Sequence, residues 1–165
     1  MRKTVVSYEH ENYAPGEVSL ITGVNVNLQR DWRRRGYITD NGGEPARFTV
    51  FDVAHVAVLG ELSRRGLMIW RADEAARIAA HSIADKIVRF ARADTGCLHL
   101  DRTANFIVMD GESLRRGNDL RELHMASQHF CSIVIDTERF ARRIAEKLPR
   151  PPVARFERIM EAANG

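Results

Sequence analysis

The sequence is short of the residues that staple a chain or anchor it in a membrane. It has two cysteines, Cys97 and Cys131, in 165 residues. That is too few for a disulfide framework, and nothing argues for an oxidising compartment. Eleven glycines and five prolines exclude a collagen-like or Pro/Gly-rich low-complexity chain. No apolar run approaches the roughly 18 residues that a membrane span needs. The start, MRKTVVSYEHEN, lacks the apolar stretch of a secretory signal. A cytoplasmic protein with no membrane partner is therefore expected. Lysine is scarce too: only Lys3, Lys86 and Lys147 occur, so the basic charge rests on arginine. There is no G-x-S-x-G, no G-x-x-x-x-G-K and no H-E-x-x-H. Asp101, Asp110 and Asp136 fall at expected turns or caps, where aspartate bonds to local backbone. The expectation is a protein that is not an enzyme and needs no cofactor.

What is present suits a folded domain, or a small domain with an appendage. Hydrophobic residues make up 44% of the chain, enough at this length for a core without disulfides or metal. The net charge of +3 and pI near 9.2 lean towards anionic partners.

The expected organisation is α+β: a mainly helical N-terminal winged helix-turn-helix, then a small C-terminal ββαβα-like unit. Residues 1–12 read as a flexible arm. Pro15 suits the first turn of a helix, where its missing N–H costs nothing; that helix, over 17–22, carries Val18, Leu20 and Ile21 and ends at Gly23. Asn25 is a candidate N-cap for a second helix over 26–35, with Gly36 its stop. Between Ile38 and Phe48, the Asn41-Gly42-Gly43 centre predicts a hairpin wing near 40–47. Thr49 and Asp52 have capping-box spacing and open a helix that closes at Gly66. A fourth helix over about 72–93 shows an apolar stripe through Ala75, Ile78, Ile83, Ile87 and Phe90. Thus 13–93 reads as one domain. The unit at 97–148 has weak alternation at 97–100 and a strand at 106–109. A turn at Asp110-Gly111 leads to a returning strand over 112–116 and a short helix over 119–126. A strand at 130–135 and a helix over 138–148 complete it. Residues 149–165 read as a proline-rich exit and a short amphipathic helix over 153–163.

The two short helices joined by a Gly-centred turn form a helix-turn-helix pattern, and a second helix of this length fits the DNA major groove. Arg30, Arg33 and Arg34 can share one face at 3.6 residues per turn, whereas Arg35 points elsewhere. Arg47, at the wing's end, can meet phosphate. Asn25, Asn27 and Gln29 carry amides suited to base edges.

These residues resemble a known family. Residues 13 to about 82 are similar to the DNA-binding domain of the MerR class of bacterial transcription regulators. The shared succession is Gly23-Val24, Arg30 two residues before the aromatic Trp32, and Gly36-Tyr37-Ile38. Arg47-Phe48-Thr49 with Asp52, and Arg65-Gly66-Leu67, continue it. The resemblance implies a winged helix-turn-helix in which Arg30 contacts DNA, Arg47 grips phosphate, and Trp32 packs against phosphate or the domain core. Tyr37 goes with it as a packing or phosphate-contacting residue. There are departures. Gln29 stands where the family usually has Leu, Leu28 is apolar one residue early, and Asp31 replaces a usual aromatic. The C-terminal unit does not follow the family's long dimerising helix and effector tail.

Each feature has a plainer alternative. An arginine run such as Arg33-Arg34-Arg35 can be a solvated helix end favoured by the helix dipole. Val24, Val26 and Leu28 suit a framework role, and Trp32 suits a partly buried one. Cys97, His99, His129 and Cys131, with His124, have ligand chemistry for zinc. Their one-residue spacings differ from common structural sites, however, and no metal is expected; Cys131 in an apolar strand suits a small core residue. The expected function is a sequence-specific, nucleoid-associated transcription regulator of bacterial or phage type. It would bind double-stranded operator DNA as a homodimer, with residues 97–148 open to a small-molecule effector or protein partner. The alternatives are an architectural or recombination/packaging-accessory DNA-binding protein, and a protein–protein adaptor on the same scaffold.

Overall fold

The computed structural model describes residues 3–39, 46–91, 103–127 and 131–161. The weak alternation at 97–100 and the tip of the expected wing, 40–45, lie outside them. Within them the chain is α+β, with six helices, a three-stranded antiparallel sheet and a separate two-stranded ribbon.

The helices begin and end where local chemistry directs. Helix α1, Pro15–Thr22, starts at proline, and the Glu17 carboxylate accepts a 2.7 Å bond from the Ala14 N–H. Helix α2, Val26–Arg34, follows Gly23, whose φ of 74° is the left-handed geometry that glycine tolerates. Thr49 caps helix α3, Val50–Arg64, and Asp52 bonds back to the Thr49 N–H at 2.8 Å, completing the expected capping box. Helix α4, Ile69–Phe90, starts three residues before the expected boundary and ends three residues before it. Strands β2, Phe106–Asp110, and β3, Ser113–Gly117, form the expected hairpin across Asp110-Gly111. Asp119 caps helix α5, Leu120–Met125, and Asp136 caps helix α6, Thr137–Ala145.

The sheet order is β3-β2-β4, with β4 at Ile133–Asp136. This strand is shorter than the expected 130–135. Cys131 precedes it and is exposed, so it is not the small core residue expected. Ile107, Met109 and Ile135 on the sheet share one continuous core with Val56, Leu59, Ala76, Ile83 and Ile87 of α3 and α4, and with Ala141 and Ile144 of α6. The buried Lys86 ammonium joins these layers, donating to Ala104 O at 3.2 Å and Asn105 Oδ1 at 2.8 Å. Burial holds its pKa below the usual lysine value.

Two expectations are corrected at the chain's ends. Residues 3–10 are a strand, β1 (Lys3–His10), rather than a loose arm. Residues 153–161 are a strand, β5 (Val153–Glu161), rather than a short helix. They pair antiparallel from Lys3↔Glu161 to Glu9↔Arg155, with an irregularity before His10↔Val153. Val5, Val6 and Tyr8 favour extended backbone, but the partner of β1 lies at the opposite end of the sequence, and no local pattern points to it. In 153–163, Val153, Phe156 and Met160 stand at i, i+3 and i+7, the spacing of a helix face, and the pairing with β1 overrides it.

At the base of this ribbon, Arg150 ties the chain's end to its beginning. Its guanidinium meets Glu11 at 2.8 Å and Glu17 at 2.6 Å, also bonds the Asn12 carbonyl, and lies 5.1 Å from the Tyr13 ring centre. The Tyr13 hydroxyl donates to Arg150 O at 3.2 Å. Burial pushes the Tyr13 pKa up to about 12, against the pull of Arg150. Hydrogen bonding to Arg150 holds the Glu17 carboxyl below its ordinary value.

Candidate nucleic-acid interface

Helices α1 and α2 meet through a tight turn fixed by short-range bonds. Thr22 Oγ1 donates to Val18 O at 2.7 Å and accepts from the Val24 N–H at 3.2 Å. Val24 is then buried against α3. A Cβ at Gly60 would approach Val24 Cγ2 to 2.5 Å, so glycine at that position gives the turn its seat. Asn25 Oδ1 accepts from the Leu28 N–H at 2.8 Å, so its side chain is used as the expected N-cap.

Helix α2 divides sharply between two faces. Trp32 and Gln29 are buried, at 5% and 1% exposure. Trp32 is thereby a core residue, which excludes the phosphate-packing alternative in this conformation. Gln29 is a candidate for base edges on sequence grounds, and the structure contradicts that. Its amide donates to Val24 O at 2.8 Å and Pro15 O at 3.2 Å, pinning α2 to the turn and to α1. An apolar position is filled by an amide whose two donors find backbone carbonyls, while its oxygen has no partner among the described residues. Tyr37 is half-buried and packs on the core.

Asn27, Arg30 and Arg34 are exposed on α2, and Arg33 is partly exposed. Arg30 and Arg33 line an open cleft of about 470 Å³ together with Pro15, Val26, Gln29, Ala46 and Phe48. Arg47, between those last two in the chain, is exposed. Phe48 is held there by a two-way bridge: its carbonyl accepts from the Tyr13 N–H at 2.8 Å, and its N–H donates to Tyr13 O at 3.0 Å. The expected set is thus sorted into Arg30 and Arg33 on one cleft, Arg47 exposed, Asn25 as a cap, Asn27 exposed, and Gln29 buried at the cleft's floor. Arg34 is drawn into a local pair: Asp31 lies 2.7 Å from it and 3.0 Å from Arg35. Such exposed pairs contribute little stability, but they offset positive charge at that end of the helix.

One supporting network is not apparent in the sequence. The buried His55 Nε2 lies 2.8 Å from Asp73 Oδ1, Asp73 Oδ2 is 2.9 Å from Arg77 Nε, and Arg77 Nη2 donates to Gly36 O at 3.3 Å and Tyr37 O at 3.1 Å. The chain of contacts runs from the core to the carbonyls just past α2. Burial lowers the His55 pKa, although Asp73 opposes the shift. These residues come from three separate segments, and no local spacing announces them.

Of the candidate metal ligands, Cys97, His99 and His129 lie outside the described residues, while Cys131 and His124 are exposed. Among the described residues, no group of three His, Cys, Asp or Glu side chains is placed to hold a metal ion. None of the described helices is long and apolar enough to cross a membrane. No known protein-family model and no curated protein matches this sequence.

Proposed function

We propose that this protein binds double-stranded DNA by seating α2 in the major groove, and that it acts as a sequence-specific transcription regulator working as a homodimer on operator DNA. The observation that carries the reading is the division of α2. Gln29 and Trp32 are buried and fix the helix to the body, while Arg30 and Arg33 line an open cleft that Gln29 also borders, and Arg47 is exposed between two further lining residues, Ala46 and Phe48. Arginines so placed supply phosphate neutralisation, and Asn27 offers an amide for a base edge. A helix of nine residues reads few base pairs, so a second copy on a second half-site supplies the remaining specificity. The resemblance of residues 13–82 to the MerR class supports a winged helix-turn-helix in this role.

The test is selection of bound sequences from random duplex DNA at about 0.15 M salt, because affinity is interpretable only at a stated salt concentration. An enriched motif with two half-sites is expected. Binding without enrichment overturns the regulator in favour of an architectural protein. Absence of binding favours an adaptor, a reading to which the Asp31 pairs with Arg34 and Arg35 give some support.

A further inference from the structure

The ribbon formed by β1 and β5 leaves two outer edges, and among the described residues neither carries a third strand. An isolated two-stranded ribbon is marginal in water, and an open edge is a template for another strand. Its charge is evenly balanced. Lys3, Arg155 and Arg158 are matched by Glu9, Glu157 and Glu161, so the ribbon is not suited to track a polyanion.

We propose that the β1 edge is the dimerisation surface: β1 pairs antiparallel with β1 of a second copy about a dyad at Val6, forming a four-stranded sheet in the order β5-β1-β1-β5. The register selects this edge and this centre. Pairing β1 with itself about Val6 sets Lys3 opposite Glu9 of the partner subunit, Thr4 opposite Tyr8 of the partner subunit, and Val6 opposite its own copy. Within one ribbon, Glu9 already stands opposite Arg155, and Lys3 opposite Glu161. Each outer row across the dimer then reads Arg155, Glu9, Lys3 of the partner subunit and Glu161 of the partner subunit. The signs alternate without a break between the two copies of β1 and their flanking strands. Opposite charges on facing positions stabilise a sheet and like charges destabilise it. A register displaced by one residue loses the Lys3–Glu9 match and changes the faces. Pairing through β5 in the corresponding way, about Arg158, would set that arginine against itself. The surface deepens the homodimer part of the proposed function, but it stands on the β1 register and not on α2.

The test uses the full chain without DNA, so its result is separable from the fate of the DNA-binding reading. Sedimentation equilibrium should give twice 18.7 kDa for the native sequence. Lys3→Glu and Glu9→Lys each place like charges in both outer rows, and each variant alone should fall to 18.7 kDa. Mixed in equal amounts, they should return to twice that mass as a heterodimer. One chain then carries acid at both positions and the other carries base at both, so both pairs that face each other across the β1–β1 seam are again of opposite sign, although each ribbon keeps the like-charge pair its own substitution makes with Glu161 or Arg155. An interaction confined to one ribbon gives no such rescue. Independently, Val6→Cys in a Cys97→Ser/Cys131→Ser background should cross-link to itself on mild oxidation, whereas Val5→Cys should not. A monomeric native chain overturns the proposal. So does a dimer that persists in both single variants, a mixture that stays monomeric, or a Val6→Cys chain that fails to cross-link.

Discussion

Helices α3 and α2 are both capped by a polar side chain and packed in the same body, yet they answer to different demands. Eleven of the fifteen residues of α3 are buried, including Asp52, His55 and Gly60. Of the nine residues of α2, only Gln29 and Trp32 are. A helix covered on nearly every side has its sequence dictated by packing. A helix held by two side chains and a capped turn keeps most of its surface available. Positive charge follows the same division: α3 carries its only arginine, Arg64, in its last turn, whereas α2 carries Arg30, Arg33 and Arg34. The contrast teaches that α3 is the mounting and α2 the part mounted, and it can be broken at either side.

The largest effect is expected at the mounting. Leu59 is fully buried in α3. Leu59→Ala should cost about 2–5 kcal/mol, the usual range for a cavity left by leucine, read as a lower midpoint in chemical denaturation. Next comes the contact between the two helices' supports. Gly60→Ala puts a methyl group 2.5 Å from Val24 Cγ2. Overpacking of this kind costs about 1–3 kcal/mol, and the better helix propensity of alanine returns up to about 1 kcal/mol. A net loss of stability is expected. Because Val24 leads directly into α2, DNA affinity should fall further than the lost stability explains. Retained affinity in a destabilised Gly60→Ala chain would separate the turn from the function of α2.

Local features of this fold were legible in the sequence because their causes are local. The Thr49–Asp52 box, the Gly23 and Gly36 stops, the Asn25 and Asp136 caps and the Asp110-Gly111 hairpin each depend on close neighbours in the chain. What escaped depends on distance. Val5, Val6 and Tyr8 become a strand only because residues 153–161 return beside them. Gln29 looks like a base-reading amide until α1 brings Pro15 O within 3.2 Å. Arg150 reads as part of a proline-rich exit, and becomes a clamp only when Glu11 and Glu17 arrive from the other end. At the candidate site the arginines were visible as a cluster. Their division between the cleft and the Asp31 pairs required the helix phase and the partly exposed Asp31 carboxylate.

A smaller effect is expected from pH, again confined to the mounting. His55 is buried beside Asp73, and Phe51 and His81 form a ring contact nearby. Its pKa in the fold is lowered, chiefly by burial. The unfolded chain takes up the proton near the ordinary value of about 6.5, before the folded chain does. This term therefore favours folding above about pH 6.5 and is lost as pH falls below that value towards the folded pKa. His55→Gln should remove that part of the pH dependence. Denaturation midpoints compared at about pH 8 and about pH 5.5 should fall less in the variant than in the native chain. An equal fall in both would exclude His55 as the source.

The smallest effect on stability, and the sharpest on function, is expected on α2 itself and at Arg47. Arg30, on the cleft, and Arg47 are both exposed and lie outside the core. Substituting either with alanine should leave stability within about 0.5 kcal/mol, as for other surface changes away from caps and cores. If each meets a phosphate, each loss also removes about one released counterion, so the slope of log affinity against log salt should flatten by about one unit per substitution. Arg34→Ala supplies the internal control. Asp31 already engages Arg34 at 2.7 Å, so its removal should change the slope less than removal of Arg30. Equal slopes for all three variants would mean that the cleft does not select among the arginines, and that the division drawn across α2 describes packing without describing binding.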